Sequence, residues 1–196
     1  MKLFYVLLLS IFGLGQLVAQ TDENAQYFDD GGLSNKKTTV KLNVAAVVTG
    51  DLPLSVERAF GDRFVLEAGA GILLPYYLRE IPELIFPDED LTDWITDPKS
   101  GYSFLIQPKF FLGEYPRGSY LGLQYRRRHF NMTEETVTFQ SVTFNWGFQL
   151  PLGERLVMDY GFGLGFRGVT LDSETRSEPS ELELAIPLIV KIGYLF

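Results

Sequence analysis

The sequence predicts an all-β protein, an eight-stranded antiparallel up-and-down transmembrane β-barrel, and three observations carry the prediction. Apolar residues recur at every second position along eight separate stretches. The intervening positions are rich in glycine and in charges of both signs. Short and long connections largely alternate between the stretches, as in barrels whose strands cross a membrane and return through tight turns at one rim.

In chain order, the first nineteen of the 196 residues have the layout of a cleavable export signal: Lys2, an apolar run from Leu3 to Phe12, then small residues up to Ala19. That run is too short, and too soon followed by Gly13, Gly15 and Gln16, for a membrane-spanning helix. Residues 20–35 are acidic, contain glycine and lack periodicity, which predicts a flexible periplasmic lead-in. The barrel is expected over 36–196.

Strand one shows Val40, Leu42, Val44, Ala46 and Val48 on one face. Strand two sets Leu52, Leu54 and Val56 against Ser55 and Glu57, and strand three sets Phe64, Leu66, Ala68, Ala70, Ile72 and Leu74 against Glu67, Gly69 and Gly71. Phe104, Ile106, Phe110 and Leu112 mark strand four; Leu121, Leu123 and Tyr125, against Gln124, Arg126 and Arg128, mark strand five. Strand six alternates Val142, Phe144, Trp146, Phe148 and Leu150 with Ser141, Thr143, Asn145 and Gln149. Strand seven alternates Leu156, Met158, Tyr160, Phe162, Leu164 and Phe166 with Asp159, Gly161, Gly163, Gly165 and Arg167. The last is the longest, with every even position apolar from Leu182 to Phe196, far beyond the ~5–6 residues of an ordinary strand.

Parity alone does not say which face points out. Glycine and charge on the minor face of strand seven suit the tight interior of a small barrel, and Leu and aromatics on the other face of every strand suit lipid. The loops agree: two–three (Gly61, Asp62), four–five (Glu114 to Gly118) and six–seven (Pro151 to Glu154) are short, while three–four (Pro75 to Gly101) and seven–eight (Thr170 to Ser180) are long. The one–two connection at Gly50 and Asp51 is short although it faces outward.

This assignment encloses Lys41, Lys109, Arg126, Arg128, Arg167 and Lys191 with Glu57, Glu67, Asp159, Glu181 and Glu183. Lys41, Glu57, Glu67, Lys109, Asp159 and Lys191 fall in the periplasmic half, the other five toward the outer rim. Enclosed charges must be paired or hydrated, so an interior ion-pair network is expected to fill a lumen that eight strands leave only wide enough for side chains. Tyr102, Phe104, Phe130 and Phe166 are expected in an aromatic girdle at the outer level, with Phe60, Phe64, Tyr120 and Tyr194 at the inner one.

The formal charge of −8, one unit more negative without Lys2, excludes the basic face that nucleic acid requires. Cysteine is absent, so there is neither a lipid-anchored cysteine nor a disulfide framework. The long loop concentrates Glu83, Asp88, Glu89, Asp90 and Trp94 with further acids and aromatics, and predicts a solvated acidic surface whose extracellular partner the sequence does not identify. Asp88-Glu89-Asp90 lacks the spacing of a calcium loop, and no metal or cofactor is expected. Arg127, on the outward parity near the outer rim, is placed to meet lipopolysaccharide phosphates or to snorkel at the interface. His129 is the single histidine. The chain resembles the small outer-membrane lipid A deacylases in general architecture, but their histidine is followed two residues later by serine, and here Asn131 stands there. Without an activated nucleophile no enzymatic activity is expected.

Two resemblances follow from these residues. The ending Tyr194-Leu195-Phe196 on an alternating strand resembles the C-terminal signal read by the barrel-assembly machinery, which makes Tyr194 and Phe196 the candidate assembly residues. The stretch Leu52-Pro53-Leu54-Ser55-Val56-Glu57-Arg58, followed by Gly61-Asp62-Arg63-Phe64 and Glu67, resembles the first hairpin of uncharacterised outer-membrane barrel families common in Bacteroidetes. Together they imply an integral outer-membrane protein in contact with lipid and lipopolysaccharide, structural or surface-interacting in role, with transport of small or apolar solutes as the alternative.

Overall fold

A computed structural model describes residues 36–48, 50–75, 99–131, 135–173, 176–178 and 182–196. They form strands β1 (Thr38–Asn43), β2 (Asp51–Phe60), β3 (Phe64–Leu73), β4 (Gly101–Phe111), β5 (Gly118–Asn131), β6 (Glu135–Pro151) and β7 (Leu156–Ser173). An eighth strand follows in three pieces, β8 (Arg176–Glu178), β9 (Leu182–Ala185) and β10 (Leu188–Leu195), and one short helix, α1 (Val44–Val48), follows β1. The expected export signal and lead-in, and most of the three–four connection, lie outside the described residues.

Consecutive strands pair antiparallel and β10 pairs with both β7 and β1, so the sheet closes on itself. Directly opposed residues lead around the wall from Val40 through Val56, Ala68, Ile106, Tyr125, Val142 and Phe166 to Leu184, whereas Val40 itself pairs with Tyr194. At ordinary strand spacing, this ten-residue offset between Leu184 and Tyr194 tilts the strands by about 40° and sets a backbone radius of about 8 Å. Such a lumen holds side chains and little else.

The two faces are inverted relative to a water-soluble barrel. Leu54, Ile72, Ile106, Phe144, Trp146, Leu164 and Ile192 are exposed on the outside, while Lys41, Glu57, Glu67, Lys109, Asp159 and Lys191 are buried inside. The outward parity read from the sequence holds on β2 to β7 and through the eighth strand.

Strand one is shorter than its parity predicts. The Asn43 side-chain oxygen accepts a hydrogen bond from the Ala46 backbone N–H at 3.2 Å, a cap that favours helix over continued strand. Val44–Val48 therefore coil into α1, and Gly50, at φ 81°, turns the chain into β2. Asp51, expected in that turn, is instead the first residue of β2 and is fully buried.

The seven–eight connection is not a long loop. The β6–β7 ladder continues upward through Phe139 opposite Val169 and Val137 opposite Leu171, and Ser173 pairs with Arg176 across a tight hairpin. The β5–β6 connection is also short, spanning 132–134, which leaves three–four as the long outward connection. Proline lacks an N–H, and the C-terminal strand accordingly breaks at Ile186 and Pro187. Its register survives, with Ala185 opposite Gly165 and Leu188 opposite Phe162, and Gly163 N–H donates to the Pro187 carbonyl at 2.9 Å.

Two of the expected girdle aromatics point the other way. On β5 the inward residues are even-numbered, so Tyr120 and Phe130 share the side of Gln124, Arg126 and Arg128, and both are fully buried. A Cβ on Gly147 would collide with the Tyr120 ring, so glycine there makes room for the tyrosine. Tyr102, Phe104 and Phe166 at one rim and Phe60, Phe64 and Tyr194 at the other are exposed outward.

Candidate functional site

The lumen is layered from the rim of tight turns upward. At the bottom, Phe111 meets Tyr115 edge-on and Tyr120 at a tilt, each pair with ring centroids 5.4 Å apart, and Val65, Val157 and Leu195 are buried too. Tyr115 reaches in from the β4–β5 turn and shares a hydrogen bond with Thr39. Burial, with the nearby Glu57 carboxylate adding to it, holds the Tyr115 hydroxyl well above the usual tyrosine range.

Above this plug six sequence-predicted charges meet, three ammoniums and three carboxylates. Lys41 Nζ lies 2.8 Å from Glu57 and 2.9 Å from Asp159, and donates to the Gln149 side-chain oxygen at 2.6 Å. Lys109 Nζ contacts Glu57 and Glu67 at 2.7 Å and Asp159 at 3.0 Å, and stands 4.5 Å from the centre of the Tyr120 ring. Lys191 Nζ lies 2.6 Å from Glu67, Tyr120 O–H donates to Asp159 at 2.6 Å, and Ser55 O–H donates to Glu67 at 2.7 Å. The three carboxylates come within 4.8 Å of one another, close enough to ligate a cation. The lysines already occupy that position and match the charge one for one, so the arrangement fits an ion-pair core rather than a metal centre.

A belt of buried amides and hydroxyls follows, where Gln107 Nε2, Thr143 Oγ1, Gln149 Nε2 and both side-chain polar atoms of Asn145 have no protein hydrogen-bond partner. The upper charge layer centres on Asp51. Arg126 pairs with Asp51 Oδ2, Arg128 Nε donates to the same oxygen at 3.1 Å, and Ser103 O–H donates to Oδ1 at 2.9 Å. The Arg167 guanidinium stands 5.5 Å from the centre of the Phe139 ring, which meets Phe130 edge-on at 5.6 Å, with Val137 buried nearby.

Of the charges read from the sequence, Lys41, Glu57, Glu67, Lys109, Asp159 and Lys191 form the lower cluster, while Arg126 and Arg128 form the upper one. Arg167 lies against the Phe139 ring. The Glu183 backbone pairs opposite Arg167; Glu181 and the loop residues Glu83, Asp88, Glu89, Asp90 and Trp94 lie outside the described residues.

Sequence reasoning missed Asp51, Tyr115, Tyr120 and Gln149 as partners. Asp51 was within reach: it shares the odd parity of Ser55 and Glu57, and two enclosed arginines needed an acid. Tyr115 sits in a turn, and no periodicity marks a turn residue as a plug.

His129 faces outward. Its Nδ1 lies 3.0 Å from Thr138 Oγ1 and its ring stacks on Tyr102 at 4.8 Å.

The fold and the site define a small closed eight-stranded barrel with an apolar exterior and a plugged, charge-paired lumen. Comparison with protein-family models, with curated proteins and with solved structures finds no match.

Proposed function

We propose that this chain is a non-enzymatic integral outer-membrane β-barrel protein, exported through a cleaved signal, with a structural or surface-interaction role. The observation that carries the reading is the inversion of faces. On β7 the outward apolar side chains run from Leu156 to Phe166, a span of about 25 Å along the axis at ~3.3 Å per residue and ~40° tilt. That matches the apolar band of outer-membrane barrels. In water such a surface would be an aggregation liability. Aromatics at both ends of the band, and a lumen filled by buried ion pairs, support a barrel that anchors rather than conducts. The hairpin resemblance to Bacteroidetes barrel families supports the same location, and outward Tyr194 and Phe196 on the closing strand are the residues the assembly machinery would read.

Unboiled and boiled samples of the membrane-extracted protein are expected to migrate differently on a denaturing gel. Identical migration, with recovery in the soluble periplasmic fraction, would refute the reading and favour a soluble carrier.

A second reading, transport of small or apolar solutes, draws on one feature of the wall. Because β1 ends at Asn43, opposite Lys191, β10 residues Leu188 to Val190 have no β1 partner and α1 stands beside them. A seam of this kind would admit an apolar solute sideways from the lipid. An apolar ligand retained through purification, or conductance across planar bilayers, would favour it.

A further inference from the structure

The outward face of β2 to β7 is apolar across the band, and Arg127 interrupts it near the outer rim. Arg127 sits on β5 between Phe104 of β4 and Gln140 of β6, each directly opposite it. One step above lies the row Tyr102, His129 and Thr138; one step below lies Tyr125. The surroundings are tied together without using the guanidinium. Tyr125 O–H donates to the Gln140 side-chain oxygen at 3.2 Å, Tyr125 packs on Phe104 at 6.0 Å, and His129 is held by Thr138 and Tyr102. The Arg127 Nε is buried and has no hydrogen-bond partner. Beyond Gln140 the wall drops to Gly168, directly opposite it on β7, which adds no side chain to that side of the patch.

A guanidinium held among aromatics on a lipid-facing wall is short of an anion. Eight residues separate it from Ser119, near the start of the outward row of β5, about 20 Å of axial height at the same rise and tilt. That is near the top of the apolar band of about 25 Å, from where a long arginine side chain can reach up to the headgroup level. Arginine recognises phosphate bidentately, and the Gln140 amide and the His129 ring are neighbouring hydrogen-bonding groups. We infer that Arg127, with Gln140 and His129 beside it, forms a site on the barrel exterior for the phosphate of an anionic lipid in the outer leaflet, the acyl chains lying along Phe104, Tyr125 and Leu123. The inference rests on the membrane reading above.

The test uses the full chain refolded in detergent, with lipid retention read by native mass spectrometry. The lipids are a phosphate-bearing lipid A and, separately, zwitterionic phosphatidylcholine. The wild type is expected to retain lipid A at least tenfold more tightly than phosphatidylcholine. Arg127→Gln should lose that preference, Arg127→Lys should keep part of it, and Arg58→Gln, which removes an outward arginine at the opposite rim, should keep all of it. Millimolar inorganic phosphate should not compete, since acyl contacts contribute; competition by phosphate alone would overturn the lipid assignment. Equal retention by wild type and Arg127→Gln, in barrels whose gel shift on boiling proves them folded, overturns the site and leaves the membrane reading standing. Failure of the wild type to give that shift overturns both.

Discussion

Replacing Lys109 by methionine removes one ammonium from the sealed cluster and leaves Glu57, Glu67 and Asp159 facing only Lys41 and Lys191. In the wild type the Lys109 Nζ makes three carboxylate contacts between 2.7 and 3.0 Å. Each is worth roughly 4–6 kcal/mol of gross attraction at an effective dielectric near 20, offset by a desolvation penalty of several kcal/mol per ion. The net value of the cluster is therefore small, but the loss on breaking it is not, because an uncompensated negative charge stays enclosed. The expected destabilisation is about 3–5 kcal/mol. It is measured by urea unfolding of the barrel in lipid vesicles, followed by tryptophan fluorescence. Because the deficit is one of charge balance, adding Glu57→Gln should recover part of it, so that the double variant is more stable than the sum of the two single losses by at least about 1 kcal/mol. A loss under about 1 kcal/mol for Lys109→Met, or strict additivity in the double variant, would refute the picture of a closed, charge-matched core and imply that water reaches the carboxylates.

Three further outcomes are expected. Phe144, opposite Leu123 and Leu164, lies in the middle of the apolar band, so Phe144→Arg should cost about 2–4 kcal/mol in vesicles while Phe60→Arg at the rim costs about 1 kcal/mol or less; equal penalties would contradict a bilayer-facing exterior. Asp51→Asn leaves Arg126 and Arg128 without their shared carboxylate, and should lower unfolding stability by about 2–4 kcal/mol, with faster amide exchange at the upper ends of β2 and β4; unchanged exchange there would show that the upper layer does not hold the wall. The Tyr115 hydroxyl titrates well above its ordinary range in the folded barrel, so the folded state binds its proton more tightly than the unfolded chain does. The Tyr115 contribution to stability should therefore be constant below about pH 10 and be lost as pH rises beyond it. Tyr115→Phe should flatten part of that fall in a pH series of unfolding curves, and an identical slope in the variant would count against the plug.

Period-two patterning was legible over nearly every strand because a barrel wall imposes it residue by residue: one side chain meets the outside, the next meets the lumen. It sufficed to count eight strands, to separate the faces and to name the six charges that meet in the lower cluster. Where reading by pattern failed, a local or long-range competitor had won. At Val44–Val48 the apolar parity continues, but the Asn43 cap starts a helix. At Thr170–Ser180 the polar composition suggested a loop, yet backbone pairing with β6 and β8 is indifferent to side-chain polarity and carries β7 to Ser173. For Tyr120 and Phe130 residue type suggests the girdle, whereas the parity of their own strand puts them inside.

By itself, then, the sequence determined which side chains share a face, since that depends only on alternation along one strand, and its placement of glycine and charge chose the lumen side. Which charges meet was decided by the tertiary structure alone. Lys41 and Asp159 are 118 residues apart and Asp51 and Arg126 are 75 apart, and nothing local relates them. Their heights coincide because the closing strand meets β1 ten residues out of step with the path around the wall, and that offset exists only once the barrel has closed.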